Sequence, residues 1–118
     1  MKPFIRLDVA AGRAKMSYHS PYSGEHTKEV VCDDGKGQEK LLMTIIEALK
    51  AVQKPSRIMI KMPSGQIKTA IYNRWPEKWA VSGWVNARKK PVKYRILWQK
   101  YAELAAGHEI TIFRGDTP

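Results

Sequence analysis

The chain has 118 residues, 43% hydrophobic and 27% charged, with 21 lysines and arginines against 11 acids and a net charge of +10. That length allows one domain with one modest core, and no apolar run approaches the roughly 20 residues of a membrane span. The lone cysteine, Cys32, excludes an intrachain disulfide and a cysteine-rich zinc site. The charge balance points to an acidic partner rather than a membrane, because the basic residues form no clean amphipathic face. The first residues place an acid, Asp8, inside a short apolar run, which is not a signal-peptide layout. A reducing, cytoplasmic setting is expected.

Residues Phe4 to Asp8 read as a strand, short and apolar-rich. Ala14 to His19 reads as a second, with Met16 and Tyr18 alternating with Lys15 and Ser17. Ser20 to Gly24 is a turn cluster with a proline and a glycine as breakers. Thr27 to Cys32 reads as a third strand, and the short connections predict an antiparallel meander. After a loop at Asp33 to Gly37 the period becomes helical from Gln38. Leu41, Ile45 and Leu49 line one face, which Leu42, Ile46 and Val52 extend. Lys54-Pro55-Ser56 ends that helix. Ile58-Met59-Ile60 is a continuous apolar run, as in a strand buried on both faces, and the preceding helix predicts a parallel crossover.

Helical spacing resumes from Ser64 to Tyr72, with Ser64 as cap and Ile67, Ile71 and Trp75 on one face. Pro76 and Gly83 then divide the chain into short pieces. Pro91 precedes a last helix with Tyr94, Leu97, Trp98, Tyr101 and Leu104 on its apolar face, stopped by Gly107. Ile110 to Phe113 reads as a final strand. The predicted order is βββαβααβ: an α/β fold with a mixed five-stranded sheet, helices on its faces, in one domain over residues 1–118. Cys32 reads as a core residue. His19, His26 and His108 lack zinc-site spacing and read as strand or surface residues.

The stretch Arg74 to Tyr101 holds all four tryptophans and eight of the 21 basic residues, with one acid, Glu77. Cations interleaved with flat aromatic rings suit a polyanion bearing bases, which is nucleic acid. Trp75 and Trp98 read as core; Trp79 and Trp84 stand between core and contact surface.

Within this stretch, Trp75 and Trp79 form W-x-x-x-W. Gly83-Trp84 and Lys89-Lys90-Pro91-Val92-Lys93 form G-W-x-x-x-x-K-K-P-V-K, and Leu97-Trp98-Gln99 forms L-W-Q. This run resembles the type 1 ribonuclease H family, and the element order agrees with that fold. The resemblance implies that the basic handle holds the DNA strand of an RNA–DNA hybrid, a role it carries to Trp79, Trp84, Lys89, Lys90 and Lys93. Arg88 is basic without a family counterpart, while Val81 and Ser82 stand where the family often has basic residues.

The resemblance also implies two divalent metals held by clustered carboxylates at four places. Asp8 matches the first. The second falls on Leu41; the nearest acid, Glu39, lies roughly 200° around the helix. The third falls on Pro63, which has no ligand atom. The fourth lies on a helix after the last strand; the chain ends at Pro118, so that helix is expected to be absent. Arg114-Gly115-Asp116 resembles the family's K-G-H loop with Asp in place of His. Asp116, Asp33, Asp34 and Glu39 are the acids available to rebuild a metal site. No G-x-S-x-G, H-E-x-x-H or P-loop occurs.

The leading expectation is a ribonuclease H-like protein that binds an RNA–DNA hybrid or another duplex through its handle. It is expected to be catalytically inactive and to need no cofactor, with Asp8 as the remnant of the acid cluster. One alternative is an active, divergent ribonuclease H cleaving the RNA of hybrids with magnesium or manganese. Another is a protein-interaction scaffold.

Overall fold

Period-two alternation organises the first third of the chain in the computed structural model, which describes residues 4–20, 24–52, 54–85 and 88–113. β1 (Phe4–Ala10), β2 (Arg13–Ser20) and β3 (Gly24–Val31) form the expected antiparallel meander. α1 (Gly37–Lys50) then crosses to β4 (Arg57–Lys61), which pairs parallel to β1. After α2 (Gln66–Tyr72), α3 (Trp75–Ser82) and α4 (Arg95–Ala105), β5 (Glu109–Ile112) pairs parallel to β4. The sheet order is β3-β2-β1-β4-β5. This is the mixed five-stranded sheet predicted, with one helix more than expected. Among the described residues no helix is long and apolar enough to cross a membrane.

Ile5, Leu7 and Val9 of β1, Ala14 and Met16 of β2, and Ile58 and Ile60 of β4 point to one face and are buried. The apolar stripe of α1, with Leu41, Leu42, Ile45, Ile46 and Leu49, closes over them in one core. Each fully buried aliphatic side chain contributes about 1.5–3 kcal/mol. α4 packs on α1, and α3 on α4. The opposite sheet face carries Arg6, Asp8, Lys15, Arg57 and Lys61. The expectation that β4 is buried on both faces therefore fails at Met59, which is only half-buried. Cys32 is buried, as predicted.

Two glycines fix how the loops meet α1. Gly12 turns β1 into β2 with φ 93°, and its N–H donates to Thr44 Oγ1 at 3.0 Å. The Thr44 hydroxyl donates in turn to the Lys40 carbonyl at 2.7 Å, which satisfies a fully buried side chain. Gly65, at φ 152°, is the N-cap of α2. A Cβ there would stand 2.7 Å from Gln38 Oε1. That oxygen accepts the Ile67 N–H at 3.0 Å, so the helix start is capped from α1. The expected Ser64 cap is not made, because the long-range amide already occupies the donor.

Arg74 adopts the left-handed conformation at φ 58° and separates α2 from α3. Trp75 thus opens a new helix instead of continuing the Ile67–Ile71 face, and Pro76 follows it in the first turn. α4 starts only at Arg95, with Tyr94 as a left-handed N-cap at φ 60°. Its buried residues are Trp98 and Tyr101, with Leu97 and Leu104 packed at the core edge as predicted. The helix ends on Ala106 in a right-handed conformation. Gly107 does not provide the left-handed stop expected of it; the His108 N–H returns to the Ala105 carbonyl at 2.9 Å instead.

Replacing Trp98 by Ala is expected to cost about 3–5 kcal/mol, because the ring is almost fully enclosed. Gln38→Ala is expected to cost about 1 kcal/mol through the lost cap. Urea denaturation of the two variants checks both values.

Candidate functional site

The basic handle is built between α3 and α4. Gly83 ends α3 in the left-handed conformation, and the Trp84 N–H donates to the Trp79 carbonyl at 2.8 Å. The Ser82 hydroxyl lies 3.2 Å from the carbonyls of both Trp79 and Val85. An antiparallel bridge joins Val85 to Pro91, and the Val92 N–H donates to the Trp84 carbonyl at 3.1 Å. The loop so closed presents Arg88, Lys89 and Lys90, all exposed. Trp84 and Lys89 hold positive φ values of 66° and 61°. Such conformations cost non-glycine residues about 1–3 kcal/mol and persist only where surrounding contacts impose them. Val92 is buried and anchors the returning strand. Exposed Lys93 lies with its ammonium 5.2 Å from the Tyr94 ring centroid, a cation–π distance.

A series of aromatic rings joins the helices that flank the handle. Trp75 and Trp79 meet at 6.1 Å, Trp79 and Trp98 edge-on at 5.6 Å, and Trp98 and Tyr101 edge-on at 5.5 Å. Burial pushes the Tyr101 hydroxyl well above the usual phenol range, with Glu77 adding to the shift and Arg74 opposing it. Trp75 is 38% exposed, so its expected place in the core is corrected. It forms one wall of an open cleft of ≈190 Å³ with Gln66, Ile67, Trp79, Lys93 and Tyr94. Trp79 and Trp84 are half-buried and packed on the core. The cleft offers flat apolar walls beside an ammonium, which suits a planar group tethered to an anion. Trp75 and Tyr94 escaped the sequence reading; the signal was Pro76, whose first-turn preference places a helix start beside Trp75.

Asp8 lies on the open sheet face, with its carboxylate 3.6 Å from Arg6 Nε. Its register partners are Lys15 on β2 and Lys61 on β4. Leu41 is 1% exposed and belongs to the core, so its position supplies no oxygen. Pro63 borders the same shallow depression as Asp8. Glu39 places a carboxylate oxygen 3.0 Å from where a Cβ on Gly35 would stand, in the loop before α1. Asp33 and Asp34 are exposed in that loop. Arg114, Gly115 and Asp116 lie outside the described residues. Among the described residues, no three His, Cys, Asp or Glu side chains are grouped to hold a metal ion. One carboxylate between two lysines does not fit a pair of divalent cations, which need several converging oxygens. His26 stacks on Tyr18 at 5.1 Å, and His108 Nδ1 accepts the Ser56 N–H at 3.0 Å. The His19 side chain lies outside the described residues.

No family model matches the chain. It is 38% identical over 88 residues to the ribonuclease H of Hyphomonas neptunium, covering 73% of this chain and 58% of that protein. It is 31% identical over 93 residues to that of Clostridium botulinum, covering 77% and 62%. The chain spans between 45% and 62% of the length of these and similar curated relatives. Two solved structures share the fold. A crystallised type 1 RNase H with the type 2 active-site motif superposes with a TM-score of 0.69 at 17% identity, over 99% of this chain and 65% of that one. The PFV RNase H domain in solution superposes with a TM-score of 0.68 at 17% identity, over 99% and 81%. Sheet order, crossover and helix placement thus define a ribonuclease H-like α/β fold. Sequence similarity and fold together support a member of the ribonuclease H family.

Trp79→Ala is expected to lower stability by about 1–3 kcal/mol, and Trp75→Ala by less than about 1 kcal/mol, since only the first ring is wedged against Trp98. Thermal melts of the two variants check this order. Stability is also expected to be pH-dependent through Tyr101. Its folded pKa is raised, so its contribution is complete below the unfolded tyrosine value of about 10 and is lost as pH rises through the folded value. Tyr101→Phe, compared in alkaline denaturation, should flatten that loss.

Proposed function

We propose that this chain binds the phosphate backbone of a nucleic-acid duplex, an RNA–DNA hybrid first, through Trp84, Lys89, Lys90 and Lys93, and does not cleave the RNA. The observation that carries the reading is the exposed basic loop that leads into Lys93, which itself lines an aromatic cleft. Lysines neutralise phosphates without reading sequence, and indole rings offer sugar or base a rigid apolar surface. Trp79 supports the cleft wall from the core side. A foamy viral protease-reverse transcriptase similar in fold has been solved with dsDNA and with an RNA/DNA hybrid, which is consistent with this choice of ligand.

Catalytic silence is supported by the three described family positions. Asp8 has a carboxylate, Leu41 is enclosed in the core and Pro63 has no ligand atom. A two-metal site needs ions about 3.5–4 Å apart with oxygens on both. Binding through the handle requires neither magnesium nor manganese.

Each phosphate contact releases condensed counterion, so log affinity falls with log salt by about 0.9 per contact on duplex DNA. Replacing Lys89, Lys90 and Lys93 by Ala is expected to weaken binding to all sequences and to lower that slope by up to about 2.7. Trp84→Ala is expected to cost about 1–3 kcal/mol of binding if its ring stacks on a base. Salt titrations of wild type and variants against duplex DNA and a hybrid provide the measurement. Equal slopes for wild type and the triple variant would remove the handle from the binding face. Hybrid cleavage with magnesium or manganese that Asp8→Asn abolishes would replace this reading with an active nuclease.

A further inference from the structure

The open sheet face places opposite charges where the family resemblance implies metals. Asp8 on β1 stands directly opposite Lys15 on antiparallel β2 and Lys61 on parallel β4. Residues in register on neighbouring strands point to the same face with Cβ atoms about 5 Å apart. The row therefore reads Lys15, Asp8, Lys61 across three strands. Two arginines already serve the acids here. Arg6 pairs with Asp8 at 3.6 Å, and Arg13 pairs with Glu29, the register partner of Lys15, at 3.4 Å. Neither lysine pairs with a carboxylate of the described residues, so the group carries two uncompensated positive charges. The Phe113 ring sits beneath Lys61 at 5.6 Å and Arg6 at 5.4 Å and orients both. Asp8, Arg13, Lys15, Lys61 and Pro63 border one open depression of ≈460 Å³.

We infer that this depression is a phosphate site in which Lys15 and Lys61 pair directly with a backbone phosphodiester, in place of divalent metals. A second cation would meet two ammonium groups there, whereas an anion meets complementary charge. Asp8, held by Arg6, limits the attraction and is not a ligand. The inference rests on the nucleic-acid reading above and adds a second contact on the sheet, separate in sequence from the handle. The duplex would then touch both, with no chemistry at the second.

The test uses the full chain, a fluorescent RNA–DNA hybrid and inorganic phosphate as probes. In hybrid titrations, Lys15→Ala/Lys61→Ala is expected to weaken binding and lower the salt slope by up to about 1.8, at 0.9 per contact. Asp8→Asn is expected to strengthen binding several-fold, because it removes a repelling charge; at a metal site the same change weakens binding in the presence of magnesium. Magnesium is expected to weaken wild-type binding by competition. Unchanged affinity and slope in the double variant, with wild type still binding, overturn the inference and leave the handle reading intact. Weaker binding of Asp8→Asn under magnesium also overturns it. Inorganic phosphate separates the sources of the anion through amide shifts at Lys15 and Lys61. With hybrid binding intact, shifts at millimolar phosphate that the double variant lacks show that free phosphate also enters. If wild type does not bind hybrid, the handle reading fails, and those shifts alone decide this site: their presence supports it and their absence overturns it. Circular dichroism of each variant confirms folding.

Discussion

The edge-on contact between Trp79 and Trp98 holds the upper half of this molecule together. Trp98 belongs to α4, whose buried stripe packs on α1 and hence on the sheet. Trp79 belongs to α3, which contacts α2 and α4 but has no extensive contact with the sheet. The 5.6 Å ring contact therefore transmits the rigidity of the core to a helix with no extensive sheet contact of its own. The basic loop runs from the end of α3 to the start of α4, so its position depends on the angle between those two helices. Offset and edge-on aromatic pairs contribute about 0.5–1.5 kcal/mol beyond their buried area. Here that contribution fixes geometry as much as stability.

The strained residues lie at the start of α3 and along the connection to α4. Arg74, Trp84, Lys89 and Tyr94 are the four non-glycine residues with positive φ among the described residues. Two of them border helices, and two lie within the handle. Carbonyl contacts at Trp79 and Trp84 and the Val85–Pro91 bridge supply the compensation. A loop with so many cations would repel itself into an open ensemble without such ties. Closing it at its base keeps the cations on one projecting element, where they present a concentrated positive potential.

The sheet has two unlike faces, and this asymmetry decides what surrounds Asp8. One face is sealed by α1 and carries the aliphatic residues. The other carries ion pairs: Arg13 with Glu29 and Arg57 with Glu109 between strands, and Arg6 with Asp8 along β1. Exposed pairs of this kind contribute little to stability. They do set the local charge, and around Asp8 the balance is positive. That positive balance among the described side chains is what the inferred anion site rests on.

The sequence alone determined the features that depend on neighbours along the chain. Alternation revealed β1 to β3, the i, i+4 stripe revealed α1, and the spacing of tryptophans and lysines revealed the handle. On the family resemblance, Leu41 and Pro63 stand where two acids are expected, and neither side chain is an acid. Tertiary structure decided the rest. Trp75 shares the Ile67–Ile71 spacing and reads as core, yet a left-handed Arg74 turns it out to the cleft. Ser64 looks like a cap, but Gln38 reaches the helix start first. Met59 reads as doubly buried, but register sets it on the sheet face that carries Arg6, Asp8 and Lys61, where it stays half open. Lys15 and Lys61 carry no signal in their own segments; they matter because strand pairing sets both beside Asp8. Local pattern encodes which side of an element is apolar, whereas register and packing between distant elements decide which charged groups meet.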